Sequence, residues 1–332
     1  MSLLIHFSEP DLSRITVADA PDPMWEILLG LHALQTTDAG AVIGHWRASV
    51  ERTTATRGLF RIAPARGYSP DFLTPEQGAF GLDAGLEAVL GTPTPRLRTD
   101  VQRLAAERSV PGWAKEVATG NRTVLRELVD ALRTFHRTAL APYWPSVAES
   151  VHDDRRARAD TMLDAGLGGL LSGLHPLLTW RGNALELHGG HVTGELFLAG
   201  RGLRLVPSFF CHGVPTVLAD PTLRPVLVYP IAIDLHRLRP GMPTPDNQAA
   251  ALAALLGKTR AQLLLAASQG RTTTELGRQA GISVASASYH VSILRDAGLI
   301  ETRRDGIAVR HTLTCLGTNL LAQRQTKSLV GA

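Results

Sequence analysis

Cysteine is nearly absent: the 332 residues hold two, Cys211 and Cys315. A disulfide framework is therefore excluded, and so are the paired CxxC knuckles of a zinc ribbon. Lysine is scarce as well, with Lys115, Lys258 and Lys327 against 31 arginines. That skew reads as the base composition of a GC-rich genome. No apolar run approaches the about 18 residues that a spanning helix needs. The opening MSLLIHFSEPDLSR lacks the basic head and apolar core of a cleavable signal. These absences predict a cytoplasmic protein with no membrane partner. No GxSxG elbow, Walker loop or HExxH occurs, so the chain reads as a non-enzyme that needs no cofactor.

What is present suits a globular protein large enough for two domains: 44% hydrophobic and 19% charged residues. The net charge of +4 is unevenly spread. Residues 248–332 hold ten Lys/Arg and four Asp/Glu, whereas residues 1–247 hold 24 and 26. A basic module following a near-neutral one is the electrostatic footprint of a nucleic-acid reader joined to something else.

The predicted class is α+β. Residues 1–240 read as one α+β domain, helical over 1–174 with a small antiparallel sheet over 177–237. Residues 241–332 read as a winged helix-turn-helix. In the first part, Asp22-Pro23 offers an N-cap with proline at the first helical position. Val124, Leu125, Leu128, Leu132 and Phe135 share one helical face. A further helix is expected over Trp144–Leu171, its His152–Arg156 cluster a solvated face. After Pro176 the pattern alternates, with glycine breaks that mark hairpins. RPGMPTPDN at 239–247 is the linker candidate.

Beyond it, short helices are expected over Gln248–Leu256, Lys258–Ser268 and Thr273–Ala280, the last with Thr272 and Glu275 as a capping box. Gly281 is the turn, and Ser283 caps the next helix. Ala287, Val291 and Leu294 face its core. Ser286, Ser288, Tyr289, His290 and Ser292 are left outside or at the borders, a face of hydroxyls, phenol and imidazole with no carboxylate before Asp296. Such groups approach base edges and phosphates closely, where a carboxylate is repelled. Gly298 ends the helix. Asp305-Gly306 then joins the strands Ile300–Thr302 and Ile307–Thr312 as a wing, with Arg303, Arg304 and Arg310 placed for phosphate. Thr272, Thr273, Ser283 and Arg295 complete the candidate DNA contacts.

The pieces LAALLGKTRAQLLLAA, TTTELGRQAGIS, ASASYHVSILRDAGLI and RRDGIAVRHTLTCLG resemble the ArsR-like winged-helix regulators, over about a quarter of the chain. The order of a long unassigned domain followed by such a module is similar to a group of actinobacterial regulators. The resemblance implies a homodimer on a two-fold operator in double-stranded DNA, built on Ala249–Leu256 and Leu316–Gln323, and repression relieved by a signal. The family's thiolate motif lies on the helix before the recognition helix. That helix here reads TTTELGRQA, without Cys or His, and LGTNLLAQRQ lacks Asp/His ligands. The family's metal sites do not carry over. An unknown small-molecule effector would then fall to the first 240 residues.

Two other constellations compete. His188, His191, Cys211 and His212 are ligand types that a hairpin can gather, which would make a metal sensor. Their loose spacing across a Gly-Gly turn favours inert caps instead. Trp180, Leu196, Phe197, Leu205, Phe209, Phe210 and Tyr229 could wall a ligand pocket, yet the core of the sheet is the simpler role. The remaining alternative is a ligand-binding or protein-interaction module whose winged helix does not touch DNA.

Overall fold

The computed structural model describes residues 2–36, 40–190, 192–233, 252–267, 271–305, 308–314, 316, 317 and 320. The chain folds as two compact units, Met1–Leu238 and Arg239–Ala332. The linker candidate and most of the predicted final helix lie outside the described residues, as does the turn of the wing at Gly306 and Ile307. No helix among the described residues is long and apolar enough to cross a membrane.

The first unit is α+β. It opens with strand β1 (Ser2–His6), a turn of helix α1 (Glu9–Leu12) and β2 (Thr16–Val17). Helices α2 (Pro23–Gln35), α3 (Gly40–Ser49), α4 (Thr54–Leu59), α5 (Leu82–Leu90), α6 (Thr94–Glu107), α7 (Gly112–Ala118), α8 (Arg122–Phe135) and α9 (Trp144–Ser172) follow. Asp22 caps α2 as expected: its carboxylate accepts from the Met24 and Trp25 amides, at 3.1 and 3.5 Å. On α8 the buried stripe is Leu125, Leu128, Val129, Leu132 and Phe135, while Val124 is only partly buried. Helix α9 is broken at Gly166, whose φ of 65° lies in the left-handed region. The His152–Arg156 cluster is exposed except for Asp154, which turns inward to the Tyr229 hydroxyl at 2.7 Å.

The sheets differ from the expectation. Instead of one antiparallel sheet over 177–237, there are two mixed four-stranded sheets, and each takes a strand from the first 17 residues. The first has the order β3-β4-β1-β5, with β3 (Leu178–Arg181), β4 (Ala184–His188) and β5 (Gly194–Phe197). Strand β1 is antiparallel to β4 and parallel to β5. The second has the order β2-β6-β8-β7, with β6 (Arg204–Ser208), β7 (Thr216–Val217) and β8 (Val226–Pro230). Its β2–β6 and β6–β8 pairs are parallel. Strand β6 is buried at every position, as a parallel strand covered on both faces requires. Parallel pairing joins segments far apart in sequence, so local alternation does not reveal it.

Two buried carboxylates fix the start of α2 to the two ends of β6. Asp22 meets the Arg204 guanidinium at 3.1 Å. Glu26 is fully buried and accepts from the Ser208 hydroxyl and the Phe209 and Phe210 amides at 2.8–3.0 Å. Burial pushes the Glu26 carboxyl up to about 7. Most of the suspected pocket wall is core: Leu205, Phe209, Phe210 and Tyr229 are fully buried. Trp180 and Leu196 are partly buried against it, and Phe197 is exposed.

The second unit is a small helical domain with a wing. A short helix over 252–256 (α10) precedes α11 (Lys258–Ala267), β9 (Arg271–Thr272), α12 (Thr273–Ala280), α13 (Val284–Asp296), β10 (Ile300–Asp305) and β11 (Ala308–Leu313). Leu263, Leu264, Leu276, Val291, Leu294 and Ile300 form its core. The strands make an antiparallel sheet in the order β10-β11-β9.

Candidate nucleic-acid interface

The helix-turn-helix is built by local signals. The Thr272 hydroxyl receives the Glu275 amide, and the Glu275 carboxylate accepts from the Thr272 amide at 2.8 Å, closing the predicted capping box. Those bonds hold the Glu275 carboxyl below its ordinary value. Gly281 ends α12 at φ 66° and ψ 33°, the left-handed cap that turns the chain into the second helix. Ser283 caps α13 by accepting from the Ser286 amide at 3.2 Å.

Ala287, Val291 and Leu294 are the buried residues of α13, at the predicted spacing. The opposite face exposes Ser283, Val284, Ala285, Ser288, Tyr289, Arg295 and Asp296. Ser286, His290 and Ser292 are half-buried at its borders. The Tyr289 ring is 66% exposed, and His290 stands edge-on to it with centroids 5.4 Å apart. Arg295 is paired along its own helix, to the Ser292 hydroxyl at 3.1 Å and to Asp296 at 3.5 Å. Val284 and Ala285 are not among the contacts expected from the sequence. Their signal was apolar side chains next to the cap and off the Ala287–Val291–Leu294 row.

The wing differs in one detail from its prediction. Strand β10 runs on to Asp305, so Arg303 and Arg304 lie within the strand rather than at the turn. In register, Arg303 faces Arg310, which faces Thr272 on β9. Arg303, Arg310 and Thr272 thus form one row across the sheet, and Arg310 is exposed.

The Thr272 and Thr273 hydroxyls have internal partners. Thr273 meets the His311 Nε2 at 2.8 Å, and the Nδ1 of the same ring meets the Thr302 hydroxyl at 3.1 Å. His311 is buried at 4% exposure. Burial first, then the Arg295 guanidinium, holds its imidazole below the usual histidine value. Sequence reasoning missed it, because its partners come from α12 and β10.

The candidate metal ligands among the described residues are not gathered. His188 ends β4 beside Glu186 at 3.7 Å. The Cys211 thiol is buried and pushed up by burial and by Glu26, while the His212 Nε2 meets the Thr36 hydroxyl at 3.0 Å. His191 lies outside the described residues. Among the described residues, no group of three or more His, Cys, Asp or Glu could hold a metal ion.

A capped two-helix turn, an outward-facing second helix and a basic three-stranded sheet behind it define a winged helix-turn-helix protein. Comparison with known proteins agrees: residues 258–303 match the helix-turn-helix domain family. Over 70 residues the chain is 40% identical to a Streptomyces lividans protein described as a probable mercury resistance operon repressor. The match takes in 21% of this chain and 56% of that protein, so the chain spans about half the length of the curated relative it matches. No solved structure matches the chain. The winged helix-turn-helix expected from the sequence is present in the C-terminal unit.

Proposed function

We propose that the protein is a transcriptional repressor that binds double-stranded DNA through α13 and the wing. The observation that carries this reading is the exposed face of α13. From Ser283 to Ser292 it offers hydroxyls, a phenol and an imidazole, with no carboxylate among them. Such a surface suits the major groove, and the arginines of the wing suit phosphate. Phosphate neutralisation then supplies most of the affinity and makes it salt-dependent.

The operator is two-fold and the protein acts as a homodimer, with half-sites about one helical turn apart. Leu255 and Leu316 support self-association: they are 68% and 56% exposed, and they lie near the two ends of the unit's sequence. The first 240 residues receive the signal, a small molecule, and carry out no catalysis. Mercury sensing is not carried over from the relative. Helix α12 holds no Cys or His, and the two cysteines of the chain are 104 positions apart in different units.

Selection from random DNA with the purified full chain tests the reading. A two-fold sequence should be enriched, and its affinity should fall steeply with salt. Failure to enrich any sequence would leave the winged helix as an interaction module.

A further inference from the structure

Each base in the major groove is read by a characteristic side chain. Guanine takes a bidentate Arg or Lys, adenine takes Asn or Gln, and cytosine takes a carboxylate. Thymine is distinguished by its C5 methyl, which takes an apolar contact. Helix α13 has none of the first three kinds from Ser283 to Leu294. Its first charged side chain, Arg295, comes about three turns along and is paired to Ser292 and Asp296.

The first turn of α13 carries something else. Val284 is 48% exposed, and Ala285 beside it is exposed too. Val284 takes no part in the core that Leu263, Leu276 and Val291 form. Residues four apart are neighbours on a helix, so Ala285 lies against Tyr289 and Val284 against Ser288. The result is a continuous strip of methyl groups and aromatic ring on the outer face. A β-branched residue at an exposed helical position gains neither packing nor propensity. Serine hydroxyls nearby both donate and accept, so they discriminate little between bases.

We infer that α13 reads its half-site through thymine methyl groups. Val284 and Ala285 cover the C5 methyl of one or two thymines under the first turn, and the Tyr289 ring borders them. Guanine is not read directly by this helix. The inference rests on the proposal that α13 enters the major groove, and it adds the base class and the residues that read it.

The test uses the full chain and its selected operator. Each thymine of a half-site is replaced in turn by deoxyuridine, which removes only the methyl group. Losing one buried methyl should weaken binding about fourfold. We expect that loss at one or two positions, and a Val284→Ser variant should no longer feel the replacement there. An operator that is bound and selected, yet indifferent to deoxyuridine at every thymine, overturns the methyl readout and leaves the regulator standing. So does a selected half-site whose central pairs are all G·C. If no operator is selected, the regulator reading itself falls and this inference with it.

Discussion

His311 and Thr273 are joined side chain to side chain, Nε2 to Oγ1 at 2.8 Å, which ties the wing to the start of the helix-turn-helix. The other ring nitrogen holds Thr302 at 3.1 Å. One buried imidazole therefore bridges α12, β10 and β11. A His311→Leu variant leaves two hydroxyls unpaired, and should lose about 1–3 kcal/mol for each that stays buried. Urea denaturation followed by circular dichroism measures it. The folded imidazole titrates below its ordinary 6.5, so its contribution is present above that value and is lost as pH falls through the folded pKa. The wild type should weaken below about pH 6, and His311→Leu should flatten that limb.

Glu26 gives the opposite slope. Its folded carboxyl is raised from 4.5 to about 7, so the fold favours the protonated form. That contribution is complete below pH 4.5 and is lost as pH rises through about 7. The loss amounts to roughly 3 kcal/mol by pH 8. Glu26→Gln removes this ionisation, so its stability should fall less than the wild type's as pH rises from 5 to 8. Thermal melts of both proteins across that range decide it, and parallel curves would remove Glu26 as the source.

Contacts to base and to phosphate should separate on mutation. Tyr289→Ala should cost roughly 1–3 kcal/mol and relax preference at one operator position. Arg303→Ala combined with Arg304→Ala should weaken every sequence alike and flatten the salt slope by about 0.9 per lost phosphate contact. Mobility shifts over a salt series distinguish the two. An unaltered slope would show that the wing does not touch the backbone.

Gly281 isolates the cost of the turn. A Cβ there meets nothing within 4 Å, but the residue's φ is +66°. Gly281→Ala should therefore lose about 1 kcal/mol through backbone conformation alone. Gly281→Asn should lose less, since asparagine tolerates the left-handed region. Equal losses in the two variants would point to packing instead.

Self-association has a direct check. Leu255→Glu with Leu316→Glu places charge on the two exposed leucines proposed for the homodimer interface. The variant should run as a monomer by light scattering and bind a full operator with the affinity of a half-site.

What the sequence revealed follows the range of each signal. The Thr272–Glu275 box, the Ser283 cap and the Gly281 turn are spelled within four residues, and each was legible. So was the Ala287–Val291–Leu294 row, which depends only on helical spacing. His311 was not, because its meaning lies in Thr273 and Thr302, which the fold brings to it. Glu26 resembled any first-turn acid of a helix until the end of β6 closed over it. Strand β1 was missed because a five-residue stretch carries too little periodicity, and its partners begin near residue 184. Arg303, Arg304 and Arg310 were legible as charge, and the register that aligns Arg303 with Arg310 and Thr272 was not.

The place of β1 has a consequence for the order of folding. It lies between β4 and β5, so this strand cannot find either neighbour until residues 184–197 have been made. The same holds for β2, whose partner begins at Arg204. The first unit therefore closes late, across long loops, and slowly. The winged helix assembles from neighbours within some 50 residues. In refolding experiments it should reach its native state before the first unit does.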